Sequence, residues 1–389
     1  MIARSAENAL RSLATGFPIV SVTGPRQSGK TTLVRATFPG LPYISLEDPD
    51  TLELASSDPR GFLHLYRDGL VIDEAQRAPK LFSYLQTLSD EAPRPGRFIL
   101  TGSQQFGLLS GISQSLAGRV GILQLLPFAI EELNTASVSL PDLDQLLFQG
   151  LYPALYDRPV SPAQWHSSYV MTYVERDLRQ MLNVRDLASF QRFLRMCAAR
   201  VGQLLNLSSL AMDCGITHNT ARSWLSMLEA SDIVFLLQPH FRNYGKRLVR
   251  SPKLYFHDAG LASRLLNIQD AAHCAVHPQR GGLFECLIAG ELLKVRFNKG
   301  LPSNLYFWRN NKGDEIDLIV DRGEVLVPVE IKSGRTLNAD FFLGLERWRA
   351  LTSARSDGYL VYGGDTESRN RSTAIIPWNR AGLTPGIAG

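Results

Sequence analysis

Apolar residues in the first third of the chain come in short runs separated by longer stretches of helical period. Residues 18–23 (PIVSVT), 70–72 (LVI) and 97–101 (RFILT) are runs of strand length, the pattern of parallel strands buried on both faces. Residues 81–88, between the last two runs, have helical spacing. This alternation predicts a parallel α/β sheet over residues 1–135. Over residues 136–205 the period turns helical: Tyr169, Tyr173, Leu178 and Leu182 recur on one face, as do Phe190, Phe193, Leu194 and Cys197. Residues 206–264 predict a short helix capped by Ser208 or Ser209 and ending near Asp213, then a turn from Cys214 to Thr217. A second helix follows from about His218 to Ala230, and then a hairpin. Residues 265–282 lack a period and read as a linker. Residues 280–365 predict a helix, several strands and another helix, ahead of a loose tail. The fold class expected is α/β and multidomain: a parallel-sheet unit, a helical connector with a compact helical module, and a C-terminal α/β unit.

Length supports this division, because 389 residues exceed one ordinary hydrophobic core. The 44% hydrophobic and 20% charged composition is that of a globular chain. A net charge of +4 does not by itself mark a nucleic-acid binder, so local basic patches must carry that case. None of the four cysteines sits in a CxxC pair, which argues against a four-cysteine zinc site or a disulfide framework. His273, Cys274 and His277 lack a second ligand pair and read as part of the linker. The N-terminus has no apolar signal core, and no stretch has the length to cross a bilayer, so a cytoplasmic location is expected.

Chemistry begins at residues 24–31, GPRQSGKT, which match GxxxxGK(S/T) between an apolar strand and a helical run. Glycines let backbone N–H groups turn inward around phosphate oxygens, and the helix N-terminus adds its positive end. The expected nucleotide contacts are Gly24, Pro25, Arg26, Gln27, Ser28, Gly29, Lys30, Thr31 and Thr32. Lys30 would reach the β- and γ-phosphates, and the Thr31 hydroxyl would ligate Mg²⁺. Asp73 emerges at the carboxyl end of the LVI strand as a second Mg²⁺ ligand, with Glu74 beside it as the base or water-positioner. Ser103, with Gln104 next to it, stands at the tip of a third strand where a polar group can touch the γ-phosphate. Arg119 is an arginine-finger candidate, acting in cis or from a neighbouring copy.

The segments GPRQSGKTTL, VIDEAQ, LTGSQQ and SLAGRV occur in an order that resembles AAA-type ATPases of the prokaryotic sort. That resemblance covers residues 1–135 and implies a P-loop fold using ATP with Mg²⁺.

In residues 206–264 the second helix places Ala221, Trp224, Leu225 and Leu228 on one face and His218, Asn219, Arg222 and Ser223 on the other. This resembles a helix–turn–helix whose second helix enters the major groove. The hairpin after it carries Arg242, Lys246, Arg247 and Arg250, a basic wing suited to phosphates. With Asn219 and Arg222 these are the expected DNA contacts of a winged helix. A module used for packing or for protein partners is the alternative.

In the C-terminal unit, Val325, Val327, Val329 and Ile331 fall on one strand face, while Glu330 and Lys332 share the other. Asp317, on the preceding strand, can reach the same spot, and Glu285 on the preceding helix can complete the group. Two carboxylates, Asp317 and Glu330, can hold a divalent cation there, and Lys332 can orient a water for attack on a phosphodiester. These residues resemble the PD-(D/E)xK nuclease superfamily over residues 280–365. The chain departs from the pattern in having no proline just before Asp317, and Pro328 is awkward in a central strand. As a whole the chain resembles a widespread group of prokaryotic proteins that fuse an AAA-type ATPase to such a domain. The function expected is an ATP-hydrolysing protein that acts on or binds DNA, with metal-dependent nuclease activity. The alternative is an ATP-dependent switch whose inactive nuclease-like domain binds DNA or protein partners. ATP and DNA are the expected partners, with protein partners and self-assembly left open and no role for a membrane.

Overall fold

The structure, a computed structural model, describes residues 2–102, 116–174, 186–240, 250–352 and 357–389. Among the described residues the N-terminal unit is a five-stranded sheet of order β2-β3-β4-β1-β5. Its strands are β1 (Ile19–Thr23), β2 (Tyr43–Ser45), β3 (Leu70–Asp73), β4 (Phe98–Thr101) and β5 (Val120–Gln124), and every pairing is parallel. The apolar runs are buried on both faces. Val20, Val22, Val71 and Ile99 pack with Leu33 and Val34 of the Lys30–Thr37 helix. Ile19, Leu70, Ile72, Phe98 and Leu100 pack on the other side with Leu81, Phe82 and Leu85 of the Lys80–Glu91 helix. Strands β2 and β5 carry no strong period of their own and complete the sheet through pairing.

The middle of the chain is helical and then forms a small hairpin. Trp224 is wedged edge-on between Phe190 and Phe193, with ring centroids 5.1 and 5.4 Å away, fastening the His218–Ala230 helix to the Leu187–Ala198 helix. The Leu207–Cys214 helix is capped by Asn206, which accepts the Ser209 N–H at 3.0 Å. The cap is therefore not the expected Ser208 or Ser209, because the side chain one position before the first helical residue has the reach to the third N–H. Strands β6 (Val234–Leu237) and β7 (Lys253–Phe256) pair antiparallel. The expected linker is not structureless: Asp270 caps a short helix, Ala271–Val276, too brief to show a period.

The C-terminal unit is a mixed six-stranded sheet of order β12-β13-β11-β10-β9-β8. Its strands are β8 (Leu305–Arg309), β9 (Glu315–Asp321), β10 (Leu326–Lys332), β11 (Gly358–Tyr362), β12 (Ser368–Asn370) and β13 (Thr373–Pro377). The long Arg280–Asn298 helix packs against it. Pro328 is tolerated because β11 pairs with β10 only from Val329 onward, so the proline sits where β10 has a partner on one side. One apolar core runs from Leu126 through the middle helices and this long helix to Ala388. Trp165, Trp308 and Trp348 are buried. All four cysteines are free and buried. No described helix is long and apolar enough to cross a membrane.

Candidate functional site

Three adjacent strands, β3, β4 and β1, deliver their carboxyl ends to one edge of the parallel sheet, and the GPRQSGKT loop leaves from the last of them. The loop needs its glycines. A Cβ on Gly24, at φ 140°, would lie 2.0 Å from the Leu125 carbonyl oxygen, and Gly29 holds φ 94° as it opens the Lys30–Thr37 helix. Lys30 is buried, and its Nζ donates to the carbonyls of Gly24 and Pro25 at 2.9 and 2.8 Å. Burial lowers its pKa to about 8, against the opposing pull of Glu74, Asp232 and Asp73.

Thr31 Oγ1 donates to Asp73 Oδ2 at 3.1 Å, and the Tyr43 hydroxyl donates to the same oxygen at 2.5 Å. Thr101, at the end of β4, donates to the other carboxylate oxygen. A hydroxyl and a carboxylate meeting in this way form a hard oxygen donor pair, which fits Mg²⁺. Glu74 adopts the left-handed conformation, φ 54°, and Gln76 Nε2 donates to its Oε2 at 2.5 Å. Lys30, Thr31, Thr32, Asp73 and Glu74 line a cavity of about 350 Å³ together with Arg26, Gln27 and Gly29 of the loop. Its far wall comes from Pro153, Asp157 and Arg158, beyond the parallel sheet in sequence. Such a cavity can cradle a polyphosphate at backbone N–H groups, with a cation on each side and a carboxylate beside the terminal phosphate.

Several of these residues carried no signal in the sequence. Arg4 donates to the Ser28 carbonyl at 2.6 Å, to the Leu126 carbonyl at 2.7 Å and to Glu132 Oε1 at 2.9 Å, bracing the loop from behind. Tyr169 donates to the Arg26 carbonyl at 3.2 Å, and the Arg26 guanidinium lies 3.5 Å from Glu47. Gln124, at the end of β5, donates to Asp232 at 2.5 Å. Burial raises Asp232 to about 7, with the Gln124 hydrogen bond and then the Lys30 charge drawing it back.

The placement of Arg119 corrects the expectation of an arginine finger in cis. Arg119 precedes β5 and sits beside the start of β1, where Ile19 N–H donates to its carbonyl at 3.3 Å. The phosphate loop leaves from the opposite end of that strand, and the Arg119 guanidinium is engaged by Asp90 at 2.5 and 2.9 Å. Ser103 and Gln104 lie outside the described residues, as do Arg242, Lys246 and Arg247. Asn219 and Arg222 are exposed on the outer face of the His218–Ala230 helix, and Arg250 is exposed ahead of β7.

The C-terminal residues do come together. Antiparallel register pairs Val329 with Leu318, and continuing it sets Asp317 beside Glu330. Lys332 Nζ lies 3.0 Å from Asp317 Oδ2 and 2.6 Å from Glu330 Oε2, and the Ile331 N–H donates to the same Asp317 oxygen at 2.8 Å. Glu285 accepts from the Tyr255 hydroxyl at 2.9 Å. A residue that sequence reading passed over completes the group: Lys253, buried on β7, is bonded to Glu315 and lies 3.5 Å from Glu285 and 4.0 Å from Asp317. Burial raises Glu330, and the neighbouring Asp317 charge adds to it; burial likewise raises Glu285. Burial alone would raise Asp317 too, but Lys332 and Lys253 outweigh it and hold it below the usual carboxylate range. Among the described residues no three carboxylate, imidazole or thiol groups converge on a metal position. As arranged, ammonium groups take the places between these carboxylates, so Asp317 and Glu330 do not fit the divalent cation expected of them.

Three family models match the chain: an AAA domain at residues 16–134, a domain of unknown function (DUF8612) at 140–272, and a domain of unknown function (DUF4143) at 280–381. Among solved structures, the Walker-type ATPase PABY2304 of Pyrococcus abyssi aligns at 16% identity and a TM-score of 0.49, covering 68% of this chain and 96% of that one. Two mycobacterial proteins, Uncharacterized protein Rv2008c of Mycobacterium tuberculosis and Uncharacterized protein Mb2031c of Mycobacterium bovis, are each 34% identical over 337 residues, covering 86% of this chain and 74% of theirs. With the parallel sheet and phosphate loop in place, and with that likeness running through most of both chains, this protein belongs to the family of these mycobacterial proteins and carries an AAA-type P-loop ATPase domain.

Proposed function

We propose that this protein is a Mg²⁺-dependent ATP hydrolase whose nucleotide state governs how its middle and C-terminal modules engage DNA. The observation that carries the hydrolase reading is the convergence of Lys30, Thr31, Asp73 and Glu74 on one cavity at the carboxyl end of a parallel sheet. Loop N–H groups and the start of the Lys30–Thr37 helix hold the phosphates, and the Lys30 ammonium swings from the loop carbonyls onto the β- and γ-oxygens. Thr31 and Asp73 hold Mg²⁺, which supplies charge neutralisation on the phosphates. Glu74, steadied by Gln76, takes a proton as water oxygen attacks the γ-phosphorus. The bond from that phosphorus to the β–γ bridging oxygen breaks, ADP leaves with the electron pair, and the proton passes from Glu74 to phosphate or solvent. Arg158 faces the cavity from the segment leading to the middle module, which gives the nucleotide a route to that module.

The DNA reading is supported by the exposed Asn219 and Arg222 on the second helix of a helix–turn–helix followed by a hairpin, the order of a winged helix. The test combines ATP turnover with fluorescence anisotropy on duplex DNA, using wild type, Lys30→Ala and Glu74→Gln. Nucleotide binding lost in the first variant and turnover lost in the second are expected, with DNA affinity differing between ATP and ADP. Lys30→Ala binding nucleotide as tightly as wild type would sink the phosphate-loop assignment, and DNA affinity indifferent to nucleotide would sink the coupling.

For the C-terminal unit, the Lys253 and Lys332 ammonium groups between the carboxylates favour a nuclease-like fold that does not cleave as arranged. Incubation of supercoiled DNA with Mg²⁺ or Mn²⁺ checks this beside Asp317→Ala and Lys332→Ala. Metal-dependent nicking by wild type, lost in both variants, would overturn it.

A further inference from the structure

Where a metal-dependent phosphodiesterase needs an open cation position, this chain inserts an ammonium of its own. Lys253 opens β7, is 3% exposed, and points at three carboxylates: it is bonded to Glu315, 3.5 Å from Glu285 and 4.0 Å from Asp317. Arg309 holds the second oxygen of Glu315 at 3.0 Å, and Tyr255, two residues along β7, donates to Glu285. On the far side Lys332 bridges Asp317 and Glu330. Four carboxylates therefore face three cationic side chains, and the cluster is close to neutral with no metal.

The position of Lys253 is built by the backbone and does not depend on a wandering side chain. The chain beyond β6 runs onto the edge of the C-terminal sheet: the Phe307 N–H donates to the Gln238 carbonyl at 3.1 Å, and the His240 N–H returns a bond to the Phe307 carbonyl at 2.8 Å. Leu204 bridges Lys253 from the other side, and the Phe307 ring lies 5.6 Å from the ammonium. A hard divalent cation takes carboxylate oxygens at about 2.0–2.6 Å. It cannot share Glu285, Glu315 and Asp317 with an ammonium already among them, because like charges would be forced together in a site with little water to screen them.

Resting on the nuclease-like reading of the C-terminal unit, we propose that Lys253 is the resident cation of this cluster. While the β6–β7 hairpin is seated, Lys253 excludes divalent metal. Removing its charge lets Glu285, Glu315 and Asp317, which do not converge on a metal position as arranged, close around Mn²⁺ or Mg²⁺. The hairpin is thus an internal plug, delivered by the module that stands between the ATPase sheet and the C-terminal sheet.

The experiment is Mn²⁺ titration of the full chain without nucleotide, followed by electron paramagnetic resonance of free Mn²⁺ and by thermal melting. The proteins are wild type, Lys253→Met, Lys253→Gln, and each Lys253 variant combined with Asp317→Asn, which separates this site from the P-loop. Wild type is expected to show no Asp317-dependent binding. The single Lys253 variants are expected to bind Mn²⁺ at least tenfold more tightly than wild type and to melt at a higher temperature with Mn²⁺ than without. Both effects should vanish in the double variants. Where a Lys253 variant is unfolded without metal, Mn²⁺ should refold it. Asp317-dependent binding in wild type as tight as in the variants would overturn the proposal. Lys253 variants that are folded yet bind no Mn²⁺, or that stay unfolded with Mn²⁺, would overturn it as well. DNA cleavage by the metal-loaded variants is read separately: binding without cleavage leaves the plug standing and removes only the nuclease reading.

Discussion

Arg4 and Glu132 form an ion pair in the interior, 2.9 Å apart, with side chains 6% and 0% exposed. The same guanidinium holds the Ser28 carbonyl of the phosphate loop, and the same carboxylate accepts the Ser5 and Ala129 N–H groups at 2.8 Å each. A residue three positions from the start of the chain thus fixes the back of the nucleotide loop to the segment that leaves the sheet. Breaking one partner of such a pair strands a charge in the interior at a cost of about 3–5 kcal/mol. Arg4→Ala should therefore lower the free energy of unfolding by that order and weaken nucleotide binding. Urea denaturation and nucleotide titration check both. The Arg4→Ala/Glu132→Gln double variant should lose less than the sum of the singles, because the two residues share one interaction.

Lys30 makes nucleotide binding depend on pH. In the free protein its pKa is depressed to about 8 from 10.5, chiefly by burial. Between those values the unfolded chain holds a proton that the folded one has released, so this group's contribution to stability rises with pH there; below about 8 the burial cost of the charged form is fully present. Phosphate favours the ammonium, so binding above pH 8 must take up a proton. Affinity should fall by up to about tenfold per pH unit in that range. Calorimetry at pH 7 and pH 9 in buffers of different ionisation enthalpy measures the uptake, and Lys30→Met should abolish it.

Arg158 and Arg119 should separate cleanly. Arg158 lines the nucleotide cavity, whereas Arg119 is held by Asp90 at the other end of the sheet. Arg158→Ala should lower ATP turnover by about tenfold or more, in the direction of a lost charge clamp. Arg119→Ala should leave it within about twofold, the usual range for a surface substitution. Loss of turnover in Arg119→Ala that depends on protein concentration would point instead to a finger supplied by a neighbouring copy.

The Gln76–Glu74 hydrogen bond separates chemistry from binding. Glu74→Gln should reduce turnover by about 10²–10⁴-fold while nucleotide still binds, the range expected when a positioned base is lost. Gln76→Ala should give a smaller fall in turnover at unchanged nucleotide affinity, since it only aims the carboxylate. Single-turnover kinetics with fluorescent nucleotide distinguishes the two effects; unaltered turnover in Glu74→Gln would remove Glu74 as the base.

Arg222 tests the DNA face. It is exposed on the outer side of the His218–Ala230 helix and is the cation that the second helix presents there, beside Asn219. Arg222→Ala should weaken duplex binding. If its contact is a phosphate, the loss should be alike across sequences and the salt slope should shrink by about 0.9, as for one lost phosphate contact. If its contact is a base, the loss should be about 1–3 kcal/mol and confined to some sequences. Anisotropy across a salt series decides between them, and an unchanged affinity would remove this helix from the interface.

The sequence by itself determined what depends on local periods and spacing. The loop from Gly24 to Thr31, the Asp73–Glu74 pair at a strand tip, the two helices ending near Asp213 and Ala230, and the meeting of Asp317, Glu330 and Lys332 all follow from side-chain alternation or from a motif a few residues long. Register carries the last of these, since continuing the pairing of β9 with β10 sets Asp317 beside Glu330. Tertiary structure decided everything that depends on which charge finds which partner. Arg4 and Glu132 lie 128 positions apart, Gln124 and Asp232 lie 108 apart, and neither pair leaves a mark in any window of sequence. Arg119 looked suited to a phosphate because its residue type fits, but β5 was not foreseen, and the direction of that strand carries Arg119 to the far end of the sheet. Lys253, the first residue of β7, carries no mark of its partners in the sequence around it. A buried ammonium must be neutralised by whatever carboxylates the fold brings within reach, and only the seating of that hairpin on the C-terminal sheet puts Glu285, Glu315 and Asp317 around it.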